Sequence, residues 1–331
     1  MNKTNISETC INNQIDLISN FIRSYVISFV CFIGFLINMF NIYLLKDKSL
    51  KYSFYKHISV KAVIDILLCL FGFGYFNNVC LGCQIFFRYE IIVYQVAYKI
   101  SVRLLLMISS LHEIYLITNR LFILKNRNHW VVNIRFIYYI PFLIIIPLAA
   151  VIPFSFMFSI NKSEKNSELY YWFFSDTIKN SFGFRAYFLV LIFIENILPT
   201  IFLLILSILC HKQYTKRIQI KSKITIHAIN DLKKLENGYT RITIILTVLF
   251  IITRFSDFLI GISIRAIVIL NLKIEKMEVS LLNFIRQFTF LLYFGLFSFN
   301  GLLYIQIDNN LKALAKKKFV FIKVIFVIHF K

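Results

Sequence analysis

Charge is what this sequence has least of. Only 16% of its 331 residues are Asp, Glu, Lys or Arg, against a typical ~25%. With 59% hydrophobic residues and a mean hydropathy of +0.72, the shortage excludes an ordinary soluble domain, which is about 45–50% apolar. No His is spaced with the six cysteines (Cys10, Cys31, Cys69, Cys80, Cys83, Cys210) as a zinc site requires. No His-Glu-x-x-His, serine elbow or His/Asp cluster occurs, so no enzyme is expected. No short apolar stretch with a small-residue cleavage site opens the chain. No cleaved signal peptide is therefore expected, and the first apolar block would serve as the anchor. An internal repeat, a long linker and a soluble domain are also missing from the pattern.

What is there is a set of long apolar blocks. The net charge of +21 does not point to nucleic acid, because the basic residues sit in short segments between these blocks and form no continuous face. About 20 apolar residues cross a hydrocarbon core of ~30 Å. Seven blocks qualify, at roughly 24–45, 57–79, 93–122, 136–160, 184–211, 240–271 and 281–306. Backbone amides in lipid must bond internally, so each is expected to be a helix; the uniform apolarity does not suit barrel strands. The expected fold is an all-α membrane protein, a seven-helix bundle over 24–306. An extracellular arm (1–23) precedes it, and a short amphipathic eighth helix with a tail (307–331) follows.

Loop charge gives the orientation. The segments 46–56, 123–135, 212–239 and the tail from 307, with Arg120 and Arg241 at their edge, hold 22 basic and four acidic residues; the other side holds nine and eight. The positive-inside rule puts the first set in the cytoplasm. Three glycosylation acceptors, Asn2, Asn5 and Asn161, all fall on the opposite, outer side. Lys316-Lys317-Lys318 reads as a polybasic stretch beside anionic lipid.

Ionisable groups inside a bilayer are costly, so each is a functional candidate. The blocks contain Lys61, Asp65, Lys99, Arg103, Glu113, Glu195, Arg254, Asp257, Arg265 and Arg286. Lys61, Lys99, Arg265 and Arg286 lie towards helix ends, where snorkelling to the interface is the simpler reading. Asp65, Glu113 and Arg254 lie too deep for that and must face other helices or water. Cys31, Cys69 and Cys210 read as packing residues, and His112 as a packed or water-bonded group.

These polar positions resemble the rhodopsin-like G-protein-coupled receptor family, over residues 24–318. Gly34-Phe-Leu-Ile-Asn38 is similar to the family's first-helix pattern, and Ala62-Val-Ile-Asp65 to its Leu-Ala-x-x-Asp. Thr118-Asn119-Arg120-Leu121 resembles Asp-Arg-Tyr, with Ser109 eleven residues earlier. Pro199, Phe250 and Asn300-Gly-Leu-Leu-Tyr304 match helices five, six and seven, and the stretch from Asp308 to Lys318 looks like the eighth helix.

The resemblance implies that Asp65, Ser109, Asn38 and Asn300 converge near mid-membrane. There they form either a Na⁺ site, one carboxylate among neutral oxygens, or a water-bridged network tying helices together. It also implies a G-protein switch built on Asn119, Arg120, Glu236, Asn300 and Tyr304. Ser109, Glu113 and Arg120 lie on one stripe of a helix. An Arg120–Glu236 pair is expected in the inactive state, unless Glu236 is only a loop charge. Gly238 beside it weakens that helix by about 1 kcal/mol.

Several positions depart from the family pattern. Asn119 replaces an acid, Gly301 a Pro, Ser207 a Tyr and Arg254 a Trp, and helix four lacks its Trp. The family disulfide is not possible: Gln95 stands at the helix-three position and 161–183 holds no Cys. Cys10 with Cys80 or Cys83, or Cys80 with Cys83 in a tight loop, are the remaining outer pairings. Val102 stands eighteen residues before Arg120, where amine receptors carry Asp, and Phe294 stands where opsins carry the retinal Lys. A biogenic amine and retinal are therefore not expected as ligands.

Lys99, Arg103, Glu195, Arg254 and Asp257 are the candidate ligand-binding residues. A basic pair at Lys99 and Arg103, below an aromatic rim, suits a carboxylate or a peptide; Arg254 and Asp257, three apart, also suit a simple ion pair. The expected function is a plasma-membrane receptor with the N-terminus outside and the C-terminus inside. It would bind an extracellular short neuropeptide or chemosensory small molecule and activate a heterotrimeric G protein, with membrane lipids around it and no nucleic-acid partner. No cofactor other than Na⁺ is expected. The alternative is a seven-helix chemosensory channel or a transporter; such channels carry the N-terminus inside.

Overall fold

With no water to satisfy their amides, apolar runs of this length close their hydrogen bonds along the chain and become helices. A computed structural model describes residues 14–47, 49–50, 53–77, 89–125, 136–155, 158–162, 170–174, 181–221, 244–245, 247–253, 255, 259, 276–308 and 310–318. Helix α1 runs Gln14–Leu45, with a π turn at Ile22–Val26. It is followed by α2 (Ser53–Asn77), α3 (Tyr89–Leu124) and α4 (Phe136–Ser155). A hairpin of β1 (Phe158–Lys162) and β2 (Tyr170–Phe174) comes next, antiparallel with Phe158 opposite Phe174. Helix α5 comprises Phe182–Ile192, a π turn Phe193–Ile197 and Leu198–Lys221. The described residues of α6 are helical at 244–245, 247–253, 255 and 259. Helix α7 is Lys276–Ile307 and α8 spans 310–318.

Five helices are long and apolar enough to cross a membrane: Gln14–Leu45, Tyr55–Phe76, Val96–Leu124, Phe182–Lys216 and Ser280–Gln306. Helix α4 contributes a shorter apolar stretch, Pro141–Pro153. Three edges depart most from the sequence expectation, one of them the end of α5, which runs to Lys221 and not to 211. α1 begins at Gln14, so part of the expected arm is helical; Leu17, Ile18 and Phe21 continue its exposed apolar face while Ser19 and Ser24 turn inward. The fourth block stops being helical at Ser155, and its last residues enter β1, where Asn161 stands opposite Tyr171.

Polarity is inverted relative to a water-soluble fold. Phe29, Phe142 and Ile145 are 65%, 68% and 62% exposed, whereas Asn38, Asp65, Ser109 and His112 are fully buried. Such an outer surface is compatible with hydrocarbon and not with water. α3 is the central post, packing against α2, α4 and α5, while α1 packs between α2 and α7.

Close approach of α1 and α7 requires small residues. A Cβ on Gly34 would fall 2.7 Å from the Ser298 Cα, and one on Gly301 would lie 3.2 Å from both Asn38 Oδ1 and Asn41 Cβ. Gly301, where the resembled family carries Pro, therefore has a packing reason of its own. At one end of the bundle Leu44, Leu45, Tyr55, Ile58, Tyr304, Leu311 and Ala315 form a separate apolar cluster that docks α8. Asp308 caps α8: its Oδ1 accepts from the backbone amides of Asn310 (2.8 Å) and Leu311 (3.3 Å), and its Oδ2 from the Tyr55 hydroxyl at 3.1 Å.

Candidate functional site

Lys61 and Asp65 stand four apart on α2, so both project from one face. The Lys61 ammonium donates to Asp65 Oδ1. The same nitrogen donates to Ser109 Oγ on α3 at 3.2 Å, lies 3.8 Å from Glu113 Oε1, and sits 4.7 Å from the centroid of the Phe297 ring on α7. The other Asp65 oxygen accepts from Asn300 Nδ2 of α7 at 3.0 Å. Four groups from three helices thus enclose one ammonium, and Lys61 and Asp65 are both fully buried. A charge at this depth is tolerable because it is paired and hydrogen-bonded on several sides.

The snorkelling expectation for Lys61 is therefore corrected: its side chain turns into the bundle, where a carboxylate one turn away outcompetes a long reach to the interface. The spacing of Lys61 and Asp65 was the sequence signal for this pairing. Glu113 joins the cluster from α3 and follows Ser109 by one turn, as its stripe requires.

Of the four residues expected to converge, Asp65, Ser109 and Asn300 do. Asn38 sits beside them but spends its amide on backbone, donating to the Gly34 and Phe297 carbonyls at 2.9 Å each and so tying α1 to α7. The Ser298 hydroxyl adds a second tie, to the Val30 carbonyl at 2.9 Å. Lower on the same stripe of α3, Arg120 is buried, as is Tyr304 on α7, while Asn119 is half-buried and its Oδ1 has no partner among the described residues. His112 donates from Nε2 to the His57 carbonyl at 3.1 Å, joining α3 to α2, in keeping with a packed role.

A second ionic contact lies on the other half of α3. Arg103 makes a two-pronged pair with Glu195 on α5, through Nε and Nη2. Pro199 has no amide hydrogen to bond the Glu195 carbonyl one turn back, and the chain forms the π turn Phe193–Ile197 there, with Glu195 and Asn196 buried. Arg103 is thus already partnered by an acid. Lys99 is half-buried. Arg286 is half-buried too, its guanidinium carbon 5.3 Å from the Phe290 ring centroid. Cys31, Cys69 and Cys210 are buried free thiols, as expected of packing residues.

Asn2, Asn5, Cys10, Cys80, Cys83, Glu236, Arg254, Asp257, Arg265 and the tail 319–331 lie outside the described residues, as does the side chain of Gln95. The Arg120–Glu236 pair, the Arg254–Asp257 pair and the disulfide pairings therefore have no structural counterpart here. Among the described residues no group of three or more His, Cys, Asp or Glu could hold a metal ion.

The fold and this buried ionic cluster are those of a helical bundle with a polar interior and five helices long and apolar enough to cross a membrane, consistent with a multi-pass membrane protein. The sequence matches no protein-family model, and no curated protein matches it.

Proposed function

We propose that the chain is a seven-helix receptor of the rhodopsin-like type, with its N-terminus outside the cell, its C-terminus in the cytoplasm and α8 lying along the inner face of the plasma membrane. It binds an extracellular ligand, a short peptide or a chemosensory small molecule, and activates a heterotrimeric G protein. The observation that carries this reading is the Asp65–Asn300 hydrogen bond between α2 and α7, with Ser109, Glu113 and buried Arg120 following on one stripe of α3. A buried polar cluster with a further buried Arg two turns along the same helix, inside an apolar bundle, suits a two-state element whose rearrangement at one end is felt at the other.

The ligand would enter on the half holding Arg103, Glu195 and Lys99. There the Arg103–Glu195 pair between α3 and α5 is the contact for a ligand carboxylate or amine to break. Ligand energy spent on parting this pair would bias the bundle towards its active arrangement.

The test uses Arg120→Ala in cells carrying a promiscuous G protein, challenged with a peptide library, with surface expression measured alongside. Wild type is expected to drive GTP exchange, and Arg120→Ala to lose most of it at equal surface level. Undiminished exchange in the variant would remove Arg120 from the switch.

A further inference from the structure

The buried cluster contains two carboxylates, Asp65 and Glu113, against the ammonium of Lys61. A hard cation prefers oxygen donors, so a buried carboxylate among neutral oxygens is a place where an alkali ion could balance the charge. Here the donor set does not fit such an ion. Both Asp65 oxygens are engaged, one by Lys61 and the other by Asn300, and Ser109 Oγ accepts from Lys61 at 3.2 Å. A metal ion on these oxygens would also lie against the ammonium, and two like charges a few ångströms apart in a low-dielectric interior repel strongly.

We infer that Lys61 is a tethered cation: its ammonium takes the mid-bundle place of an alkali ion, so the native chain binds no sodium there, and removing the ammonium turns the cluster into a sodium site. The ammonium has the enclosure of a coordinated ion, with Asp65, Ser109 and Glu113 supplying oxygens and the face of Phe297 closing the fourth side 4.7 Å away. Lys61 delivers that charge from the chain itself, so its occupancy cannot vary with the ionic medium as that of a free ion does. Without the amine, Asp65, Glu113 and Ser109 would present a carboxylate-rich, oxygen-lined space. Asn300 Oδ1, buried and unpartnered among the described residues, adds another oxygen from the amide already bonded to Asp65. None of this depends on the receptor reading, because it concerns only which cation balances a buried carboxylate.

The experiment measures thermal unfolding of the purified full chain in detergent, in sodium chloride and in choline chloride at equal ionic strength. Wild type is expected to unfold at the same temperature in both salts. Lys61→Met is expected to unfold earlier than wild type in choline and to regain several degrees in sodium. Lys61→Gln, which keeps a polar group, should do the same with a smaller initial loss. A sodium-specific rise in wild type overturns the inference, as does a folded Lys61→Met that responds to sodium no more than to choline. Should neither variant fold, the wild-type comparison decides alone: equal temperatures uphold the tethered cation and a sodium-dependent rise rejects it.

Discussion

Lys61 and Asp65 are worth considering as a single unit, since neither is tolerable at its depth alone. Taking one partner from a buried ion pair costs about 3–5 kcal/mol, because a charge is left without compensation. Asp65→Asn is expected to lower stability by that order, with Glu113, 3.8 Å from the ammonium, limiting the loss. Lys61→Met with Asp65→Asn should recover part of it, since both charges of the pair are then gone and only Glu113 loses its cation. Thermal unfolding of the two single variants and the double variant forms a cycle that isolates the pairing. Strictly additive losses would mean that the two side chains do not interact. Arg103 and Glu195 repeat the logic across α3 and α5, with the π turn presenting the acid.

Elements in this molecule meet where side chains are small or turns are capped. Gly34 sits where any Cβ would run into Ser298 of α7, including its backbone Cα 2.7 Å away, so relief requires the two helices to part. Gly34→Leu is therefore expected to cut surface expression several-fold and to lower the unfolding temperature; wild-type behaviour would show that α1 and α7 do not pack this closely. The turn after α1 depends on Asp47, whose carboxyl is held below the usual carboxylate range by the Ser49 backbone amide first, then by the Ser49 hydroxyl and Lys318. A depressed folded-state pKa makes this contribution complete above the unfolded value of about 3.9, and it fades as the pH falls through the lower folded value. The stability difference between wild type and Asp47→Asn should accordingly be constant near neutral pH and shrink only below about pH 4. A difference that already narrows between pH 5 and 7, read from unfolding curves, would place its origin elsewhere.

At the scale of the whole molecule the governing fact is the inside-out distribution of polarity, with Phe142 and Ile145 outward and Asp65, Ser109 and His112 sealed within. The topology prediction comes from the loops, whose basic residues gather on one side. A tag at the N-terminus should be accessible on intact cells and one at the C-terminus only after permeabilisation, and Asn2, Asn5 or Asn161 should carry glycan. Both tags on one side would end the receptor proposal, and an inside N-terminus would favour the channel alternative.

Much of the architecture was written in one-dimensional pattern. Apolar runs specify where helices form in lipid, since only a helix bonds its own backbone, and the long spans agree to within several residues at most edges. The spacing of Ser109, Glu113 and Arg120 already put them on one stripe, and the deep position of Asp65 already required a partner. Which partner it takes was decided by tertiary structure. Sequence spacing put Lys61 within reach of either the membrane interface or Asp65, and only the approach of Ser109 on α3 and of Phe297 and Asn300 on α7 makes the inward position the better one. The same holds for Gly301 and Asn38, whose purpose emerges only when α1 and α7 lie side by side. Periodicity along a chain fixes which face a residue occupies; the energy of a buried charge depends on what neighbouring helices bring to that face.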